Sequence, residues 1–252
     1  MPEIETWLFV PDTHVPYHDK RAFDLVLNVA SAIRPNGCII LGDFADCKSV
    51  TGHQLKPKER SLKLVDELHD TRHCLVALNS ALPPDCEKDY IMGNHEDRID
   101  RYIAKNAPAL DGFFSFAEEM GLEDMGWDVI GYGDYLRIDH MVFTHDLGKA
   151  GENAHRHARK KVHGNAIIGH THRMGIDYEG SLDGPHVGAH FGWLGSHAAH
   201  DDYKDKIGGQ VDTVLGFGLG YRHVASQTWW LHAVPIINYA CVIPASPLYI
   251  KG

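Results

Sequence analysis

Five short apolar runs, each followed at once by a polar residue able to bind a metal or a proton, constrain the fold of this chain most. The runs lie at Trp7–Val10, Cys38–Leu41, Tyr90–Met92, Met141–Thr144 and Ala166–Ile168. Between them lie segments with apolar residues at helical spacing, at Asp19–Ile33, Glu59–Leu78 and Asp97–Asn106. This alternation of strands and helices predicts an α/β layered fold.

The last third of the sequence changes to β-like runs joined by Gly-rich loops. These runs predict strands at Met174–Tyr178, His186–Phe191, Val224–Val234 and Ile236–Ile243. A chain of 252 residues can bury about 70–75% of the surface that it exposes when unfolded, enough for one substantial core. The sequence shows neither an internal repeat nor a linker, so we predict one domain over residues 1–252.

Composition and charge restrict the partners and the compartment. The formal charge of −10 predicts that the molecule as a whole repels nucleic acid and anionic membranes, so a polyanionic substrate needs a local positive centre. The N-terminus is acidic where a signal peptide is basic, and prolines interrupt the late apolar stretch, which argues against a membrane span. Five scattered cysteines without a C-x-x-C pair indicate a reducing, cytoplasmic location.

The residues after the five apolar runs are of metal-ligand type. They are Asp12, His14, Asp43, Asp46, Asn94, His95, His145, His170 and His172. In open α/β sheets, ligands bind beyond the carboxyl ends of the strands, so five elements would deliver these side chains to one edge. A single such ending is usually turn chemistry, and Asn94 also suits a helix cap. Five endings in one chain indicate a functional site, and the 19 histidines agree with metal or acid–base chemistry.

The ligand types narrow the choice of metal. Carboxylate, imidazole and amide groups without a thiolate disfavour a Cys-rich structural zinc site and an all-oxygen Ca²⁺ cage. They suit Mn²⁺, Fe or Zn²⁺ with coordination positions left for water. The ligands are too many for one ion, so we predict two. Two divalent ions about 4 Å apart repel by roughly 16 kcal/mol at an effective dielectric constant of about 20, which requires an anionic group between them.

In this order the motifs D-x-H, G-D-x-x-D, G-N-H-E, a strand-terminal His and G-H-x-H, over positions 8–172, resemble the calcineurin-like metallophosphoesterases. The compact length resembles the small members carried by bacteriophages. The resemblance implies a layered α/β/β/α fold, with two packed mixed β-sheets flanked by helices. It also implies two divalent metal ions, Mn²⁺ foremost with Fe, Zn²⁺ or Ni²⁺ as alternatives, and cleavage of phosphoester bonds by in-line attack of a metal-bound hydroxide.

The resemblance assigns roles position by position. Asp12, His14 and His172 correspond to ligands of one metal. Asn94, His145 and His170 correspond to ligands of the other metal, and Asp43 corresponds to the bridge. His95 corresponds to the general acid, with Asp46 orienting its ring.

Two positions depart from the family pattern. Cys47 stands where the protein Ser/Thr phosphatases carry a phosphate-holding Arg, and Asp146 follows His145 where Gly is frequent. The missing Arg favours a phosphodiesterase, either a nuclease or a nucleotide phosphodiesterase. The alternatives are a phosphomonoesterase, including a protein phosphatase, and a catalytically silent metal-binding interaction scaffold.

The expected partner is a phosphate-ester substrate, with nucleic acid or a nucleotide as candidates, and no membrane. The residues predicted to contact the substrate are Arg98, His197 and His200. Arg98 belongs to a set of basic residues that follow or lie between the motifs and could form a positive rim.

Overall fold

The computed structural model describes residues 4–182, 184–197 and 212–243. The strands are β1 (Ile4–Val10), β2 (Gly37–Ile40), β3 (Glu87–Ile91), β4 (Asp128–Ile130), β5 (Leu136–Ile138), β6 (Met141–Thr144), β7 (Asn165–Ile168), β8 (Met174–Ser181), β9 (Gly184–Phe191), β10 (Gly216–His223) and β11 (Thr228–Pro235). The helices are α1 (Lys20–Ile33), α2 (Leu64–Ala81), α3 (Arg98–Asn106), α4 (Phe116–Met120) and α5 (Ala154–Val162).

The strands form two mixed sheets. The first sheet has the order β11-β10-β1-β2-β3-β4, in which β1 to β4 are parallel and β10 and β11 are antiparallel additions. The second has the order β5-β6-β7-β9-β8, in which β6, β7 and β9 are parallel and the edge strands are antiparallel. The parallel strands at the centre of each sheet therefore direct their carboxyl ends to one edge.

The core between the sheets consists of alternate residues of their strands. Trp7 and Phe9 of β1 pack with Phe143 and Phe191 of the second sheet, and the rings of Phe9 and Phe191 stack with centroids 5.4 Å apart. Successive side chains of a strand point to opposite faces. Leu8, which lies between Trp7 and Phe9, accordingly belongs to the buried cluster on the helical side of the sheet.

Helices cover the outer faces of both sheets. Phe23 and Val26 of α1 and Leu75 of α2 belong to the buried cluster on the first sheet. Ala158 of α5 packs with Ala166 of β7 on the second sheet. This arrangement confirms the predicted layered fold with two packed mixed sheets flanked by helices.

The C-terminal strands differ from their prediction. The predicted strand Val224–Val234 is wrong in its start, because β10 ends at His223 and β11 begins at Thr228, with a turn between them. The predicted strand Ile236–Ile243 is wrong, since these residues form a turn with an isolated bridge. The Gly-rich sequence of β10 does not read as a strand from its composition.

Packing explains the glycines of β10. A Cβ atom at Gly218 would lie 2.4 Å from the Phe191 ring, and one at Gly220 would lie 2.7 Å from the Phe9 ring. The large aromatic rings of the core therefore require glycine on the neighbouring strand.

The second helix begins later than predicted, at Leu64 rather than Glu59. Glu59 ends a short 3-10 turn, where its carboxylate accepts a hydrogen bond from the Lys56 N–H at 2.9 Å and pairs with Lys48 at 3.0 Å. Through the ranges that the structure describes, no helix is long and apolar enough to cross a membrane.

Candidate metal centre

All seven predicted metal ligands lie where the carboxyl ends of five strands meet. Strands β1, β2 and β3 of the first sheet supply Asp12, His14, Asp43 and Asn94, while β6 and β7 of the second supply His145, His170 and His172. Five of these residues are buried, and Asn94 and His170 are half-buried. The structure thus brings the predicted ligands together from both sheets, whereas their roles as ligands stay predictions.

The first group of potential ligands is Asp12, His14 and His172, whose ligand atoms all lie within 4.8 Å of one another. The Nε2 atoms of His14 and His172 are 3.0 Å apart, and Nε2 of His172 is 3.6 Å from Oδ1 of Asp12. Two nitrogen atoms at this separation can both contact one ion at a typical metal–nitrogen distance of about 2.0–2.1 Å. The group therefore fits a transition-metal ion.

The second group contains Asp43, His145 and His170, again with ligand atoms within 4.8 Å of one another. Asn94 joins it, since its Oδ1 atom lies 3.1 Å from Nε2 of His145 and 2.8 Å from Nδ1 of His170. Oδ2 of Asp43 lies 3.3 Å from Nε2 of His145. Mixed oxygen and nitrogen donors of this kind suit Mn²⁺, Fe or Zn²⁺.

Outer hydrogen bonds orient the ligand rings. Nδ1 of His145 donates to the Leu41 carbonyl at 2.8 Å, which turns Nε2 towards Asp43. Nδ1 of His14 lies 3.2 Å from Oδ2 of Asp46, so the opposite nitrogen faces His172. Metal-binding histidines commonly hold a carboxylate or a carbonyl in this way.

Four of the seven predicted ligands have a left-handed backbone. The φ angles are 56° for His14, 50° for Asp43, 66° for His170 and 57° for His172. Each such conformation costs on the order of 1–3 kcal/mol for a residue other than glycine and clusters at functional sites. The fold thus holds these four side chains in place although their backbone conformations are strained.

The motif glycines allow the strand ends to approach closely. A Cβ atom at Gly93 would lie 2.2 Å from the Asp43 backbone nitrogen, and one at Gly169 would lie 2.5 Å from the Leu41 carbonyl oxygen. Neither contact tolerates a side chain, because the opposing atoms belong to the backbone. Both glycines therefore bring a ligand loop against its neighbour.

Electrostatic interactions among these buried groups are strong. Burial raises the pKa of Asp12 to about 7, although the charge of His145 lowers this pKa by more than the Asp43 carboxylate raises it. Burial lowers the pKa of His145, but the Asp43 and Asp12 carboxylates and the hydrogen bond to the Leu41 carbonyl together raise it to about 10. Cations stabilise carboxylates in such a buried cluster.

The predicted acid–base pair is also assembled. Nδ1 of His95 lies 3.1 Å from the carbonyl oxygen of Asp46 and 3.4 Å from its Oδ2 atom. The His95 backbone N–H donates to Oδ1 of Asp43 at 2.8 Å, and its Nε2 atom is 3.7 Å from Oδ2 of Asp43. The ring is therefore anchored through Nδ1 and presents Nε2 to the metal ligands. Asp46 contacts His14 as well as His95, a second role that the sequence did not indicate.

Arg98, a predicted substrate contact, lies against both His95 and Asp46. Its guanidinium donates to the Asp46 carbonyl at 2.7 Å and to Oδ1 of Asp46 at 3.2 Å, and a further nitrogen is 2.9 Å from Nε2 of His95. Cys47, by contrast, is fully buried in the cluster on the helical side. The positive charge therefore comes from the start of α3 instead of position 47.

Asp146, the second departure from the family pattern, stabilises the local turn. Its carboxylate accepts hydrogen bonds from the Gly148 N–H and, at 3.0 Å, from the Tyr132 hydroxyl. The Tyr132 ring lies 6.3 Å from the ring of His145.

Sequence reasoning missed the role of Glu96. This buried carboxylate accepts hydrogen bonds from the backbone N–H groups of Asp43, Ala45 and Gly93 at 2.9–3.1 Å and from the Tyr90 hydroxyl at 2.8 Å. It therefore fastens the loop after β2 to the loop after β3. The motif contains Glu96, but nothing in the sequence indicated which donors it meets.

Sequence reasoning also missed Trp193, a fully buried residue whose ring stacks on His172 with centroids 4.8 Å apart and an interplanar angle of 17°. His197, a predicted substrate contact, lies beside this ring at 5.1 Å and is 3.2 Å from the Thr213 hydroxyl through Nε2. The other predicted contact, His200, lies outside the described residues.

The two packed mixed sheets flanked by helices, with the motif residues gathered at one edge, are the arrangement that the resemblance to the calcineurin-like metallophosphoesterases implied. No protein-family model matches the chain. The chain is similar to the Gene 54 proteins of Mycobacterium phages L5 and D29. For L5 the identity is 26% over 180 residues, covering 66% of this chain and 69% of the relative. For D29 it is 25% over 182 residues, with the same coverage.

Two solved structures extend this comparison. Vps29 from Cryptosporidium parvum has a TM-score of 0.49 and 12% sequence identity, with 95% of each chain covered. The phosphoesterase YfcE from E. coli has a TM-score of 0.36 and 14% identity, with 90% of this chain and 98% of that chain covered.

Proposed function

We propose that this chain is a phosphoester hydrolase that uses two divalent metal ions, Mn²⁺ foremost, and acts mainly on phosphodiesters in nucleic acid or nucleotides. One observation carries the proposal. Two groups of potential metal ligands from five strands lie at one edge, with Asp43 in contact with both His145 and the His95–Asp46 pair.

Asp12, His14 and His172 would hold one ion, and Asn94, His145 and His170 the other, with Asp43 shared. Divalent ions bound there polarise phosphoryl oxygens and lower the pKa of water towards about 7. The remaining tasks fall to side chains of this protein, namely protonation of the leaving group and binding of the phosphate.

His95 is suited to protonate the leaving oxygen. Its Nδ1 atom is held by Asp46 and its backbone N–H by Asp43, which leaves Nε2 to face the substrate. A positioned general acid typically contributes about 10²–10⁴-fold to the rate.

Arg98 is suited to bind the phosphate. One of its nitrogens lies 2.9 Å from Nε2 of His95, and both groups are donors when His95 is protonated. Since two donors cannot satisfy each other, the guanidinium needs a different acceptor in that state. A phosphoryl oxygen of the substrate provides one, while the bonds from Arg98 to Asp46 keep the guanidinium in place.

The position of Arg98 beside His95 and Asp46 favours a phosphomonoesterase as the second candidate. A monoester is dianionic at neutral pH and gains more from a guanidinium than a monoanionic diester does. The argument for diesters rests on Cys47 in place of an Arg, and Arg98 supplies positive charge close by. The two activities therefore need a direct comparison.

The test compares kcat/KM for matched aryl phosphodiester and monoester substrates, a mononucleotide and single-stranded DNA in Mn²⁺, each with a chelator control. We expect hydrolysis that depends on metal, with the diester and DNA preferred over the monoester substrates. In Arg98→Gln we expect weaker binding of the substrate phosphate. A monoester preference would move the assignment to the second candidate. Protein that binds metal yet hydrolyses none of these substrates would support the interaction scaffold instead.

A further inference from the structure

Helix α2 carries a further group of potential metal ligands, outside the centre at the strand ends. The group comprises His69, Asp70 and His73, whose ligand atoms all lie within 4.8 Å of one another. The rings of His69 and His73 have centroids 4.2 Å apart, and Nδ1 of His69 is 3.7 Å from Oδ1 of Asp70. The two imidazoles and the carboxylate therefore converge without contributions from other elements.

The spacing of the two histidines is one that a helix converts into a chelating pair. Residues four apart lie on the same helical face one turn apart. The same spacing places two histidines on one zinc ion in the H-E-x-x-H motif. His69 and His73 lie well inside α2, which spans Leu64–Ala81. The backbone that sets their separation is thus already ordered, which reduces the entropy lost on binding an ion.

The surroundings leave this pair open to solvent and favour a cation. The side chains of His69 and Asp70 are 67% and 55% exposed, and the exposed Asp66 lies one turn earlier on the helix. Arg72, the nearest cation in sequence, donates a hydrogen bond to the carbonyl of Glu119 in α4 at 3.1 Å. Its guanidinium is therefore directed to α4.

We propose that His69 and His73, with Asp70 as an oxygen donor, form a surface site for a transition-metal ion of the Ni²⁺, Cu²⁺ or Zn²⁺ class. Imidazole pairs suit these ions, whereas Mg²⁺ and Ca²⁺ prefer oxygen ligands and Mn²⁺ stands at the weak end of the affinity order. Water completes the coordination. The site is independent of the proposed phosphoesterase activity, because it shares no residue with the centre at the strand ends.

The choice of ion separates the two sites experimentally. Untagged protein is dialysed to equilibrium against Ni²⁺ or Mn²⁺, and bound metal is counted in the wild type and in His69→Ala/His73→Ala. We expect the wild type to bind one more equivalent of Ni²⁺ than the double variant. We expect equal amounts of Mn²⁺ in the two proteins, since two imidazoles on an exposed helix hold this ion weakly.

A spacing control tests the chelate itself. His73→Ala/Val76→His keeps two exposed histidines on α2 but sets them seven residues, about 10 Å, apart along the axis. Position 76 is 47% exposed in the wild type, so the new side chain is tolerated. This variant should lose the extra Ni²⁺ equivalent as the double alanine variant does. Equal Ni²⁺ binding in the wild type and the double alanine variant, or an extra equivalent retained by the spacing control, would refute the site.

Discussion

Oδ2 of Asp43 lies 3.3 Å from Nε2 of His145, across the boundary between the two β-sheets. Asp43 follows β2 of the first sheet and His145 follows β6 of the second. Neither sheet alone contains a complete group of predicted ligands, because His172 of the second sheet likewise meets Asp12 and His14 of the first. The centre therefore exists only when the sheets are packed together.

Asp43→Asn should weaken metal binding and slow the hydrolysis of every substrate alike. In the proposed centre with two ions, the substitution would remove the negative charge between them, so their mutual repulsion would no longer be offset. We expect metal affinity to fall by more than the ~10–100-fold that outer partners of metal ligands contribute. Metal analysis after dialysis and rates on several substrates measure this. Asp124→Asn, an exposed position, is the matched control, and unchanged metal content in Asp43→Asn would contradict the shared role.

His95→Asn should leave the metal content unchanged but slow substrates with poor leaving groups. A nitrophenyl group departs as a stable anion, whereas an alkyl or nucleoside group needs a proton from the general acid. We expect a loss of about 10²–10⁴-fold for the poor leaving group and a smaller loss for nitrophenyl esters. Equal slowing of both substrates, or loss of a metal ion, would show that His95 has a different role.

Glu96→Gln should destabilise the fold and weaken metal binding together. The Glu96 oxygens accept three backbone N–H groups and the Tyr90 hydroxyl, and an amide replaces one of these oxygens with a donor. Buried donors left without an acceptor cost about 1–3 kcal/mol each. Urea unfolding should show a loss of at least that size, while Glu123→Gln at an exposed position should change little. Wild-type stability in Glu96→Gln would exclude this fastening role.

Asp89→Asn should stabilise the protein in a pH-dependent way. Burial raises the pKa of Asp89 to about 7 from an ordinary value of 3.8, and the opposing Asp128 adds to the effect. Above pH 7 the carboxylate is ionised in both states and its burial destabilises the fold. Below the unfolded value it is protonated in both, so the penalty disappears as the pH falls through this window.

The measurement is the free energy of unfolding of Asp89→Asn relative to the wild type at pH 8 and pH 5. We expect a gain of roughly 1–3 kcal/mol at pH 8, less than the full 1.4 kcal/mol or so per pKa unit because the position is partly hydrated. The gain should shrink at pH 5. A gain that is the same at both pH values would mean that side-chain shape, rather than ionisation, is responsible. Asp85→Asn, at an exposed position just before β3, serves as the control.

The local pattern of residues determined the strands and helices of the first two thirds and the identity of the predicted ligands. Apolar runs and helical spacing depend on neighbours in sequence, so β1, β2, β6 and β7 and helix α1 could be predicted from them. Asp19, which caps α1 by accepting from the N–H groups of Arg21 and Ala22, is a local signal of the same kind.

Only the tertiary structure decided how these parts support one another. Glu96 reaches backbone donors about fifty residues away, Trp193 stacks on His172 and Asp46 serves two histidines. The strand β10 exists because Gly218 and Gly220 leave space for rings from β9 and β1. Such contacts join residues that are distant in sequence, and their geometry depends on strand register and side-chain direction. A local pattern carries neither quantity, so the packing of the two sheets determined them.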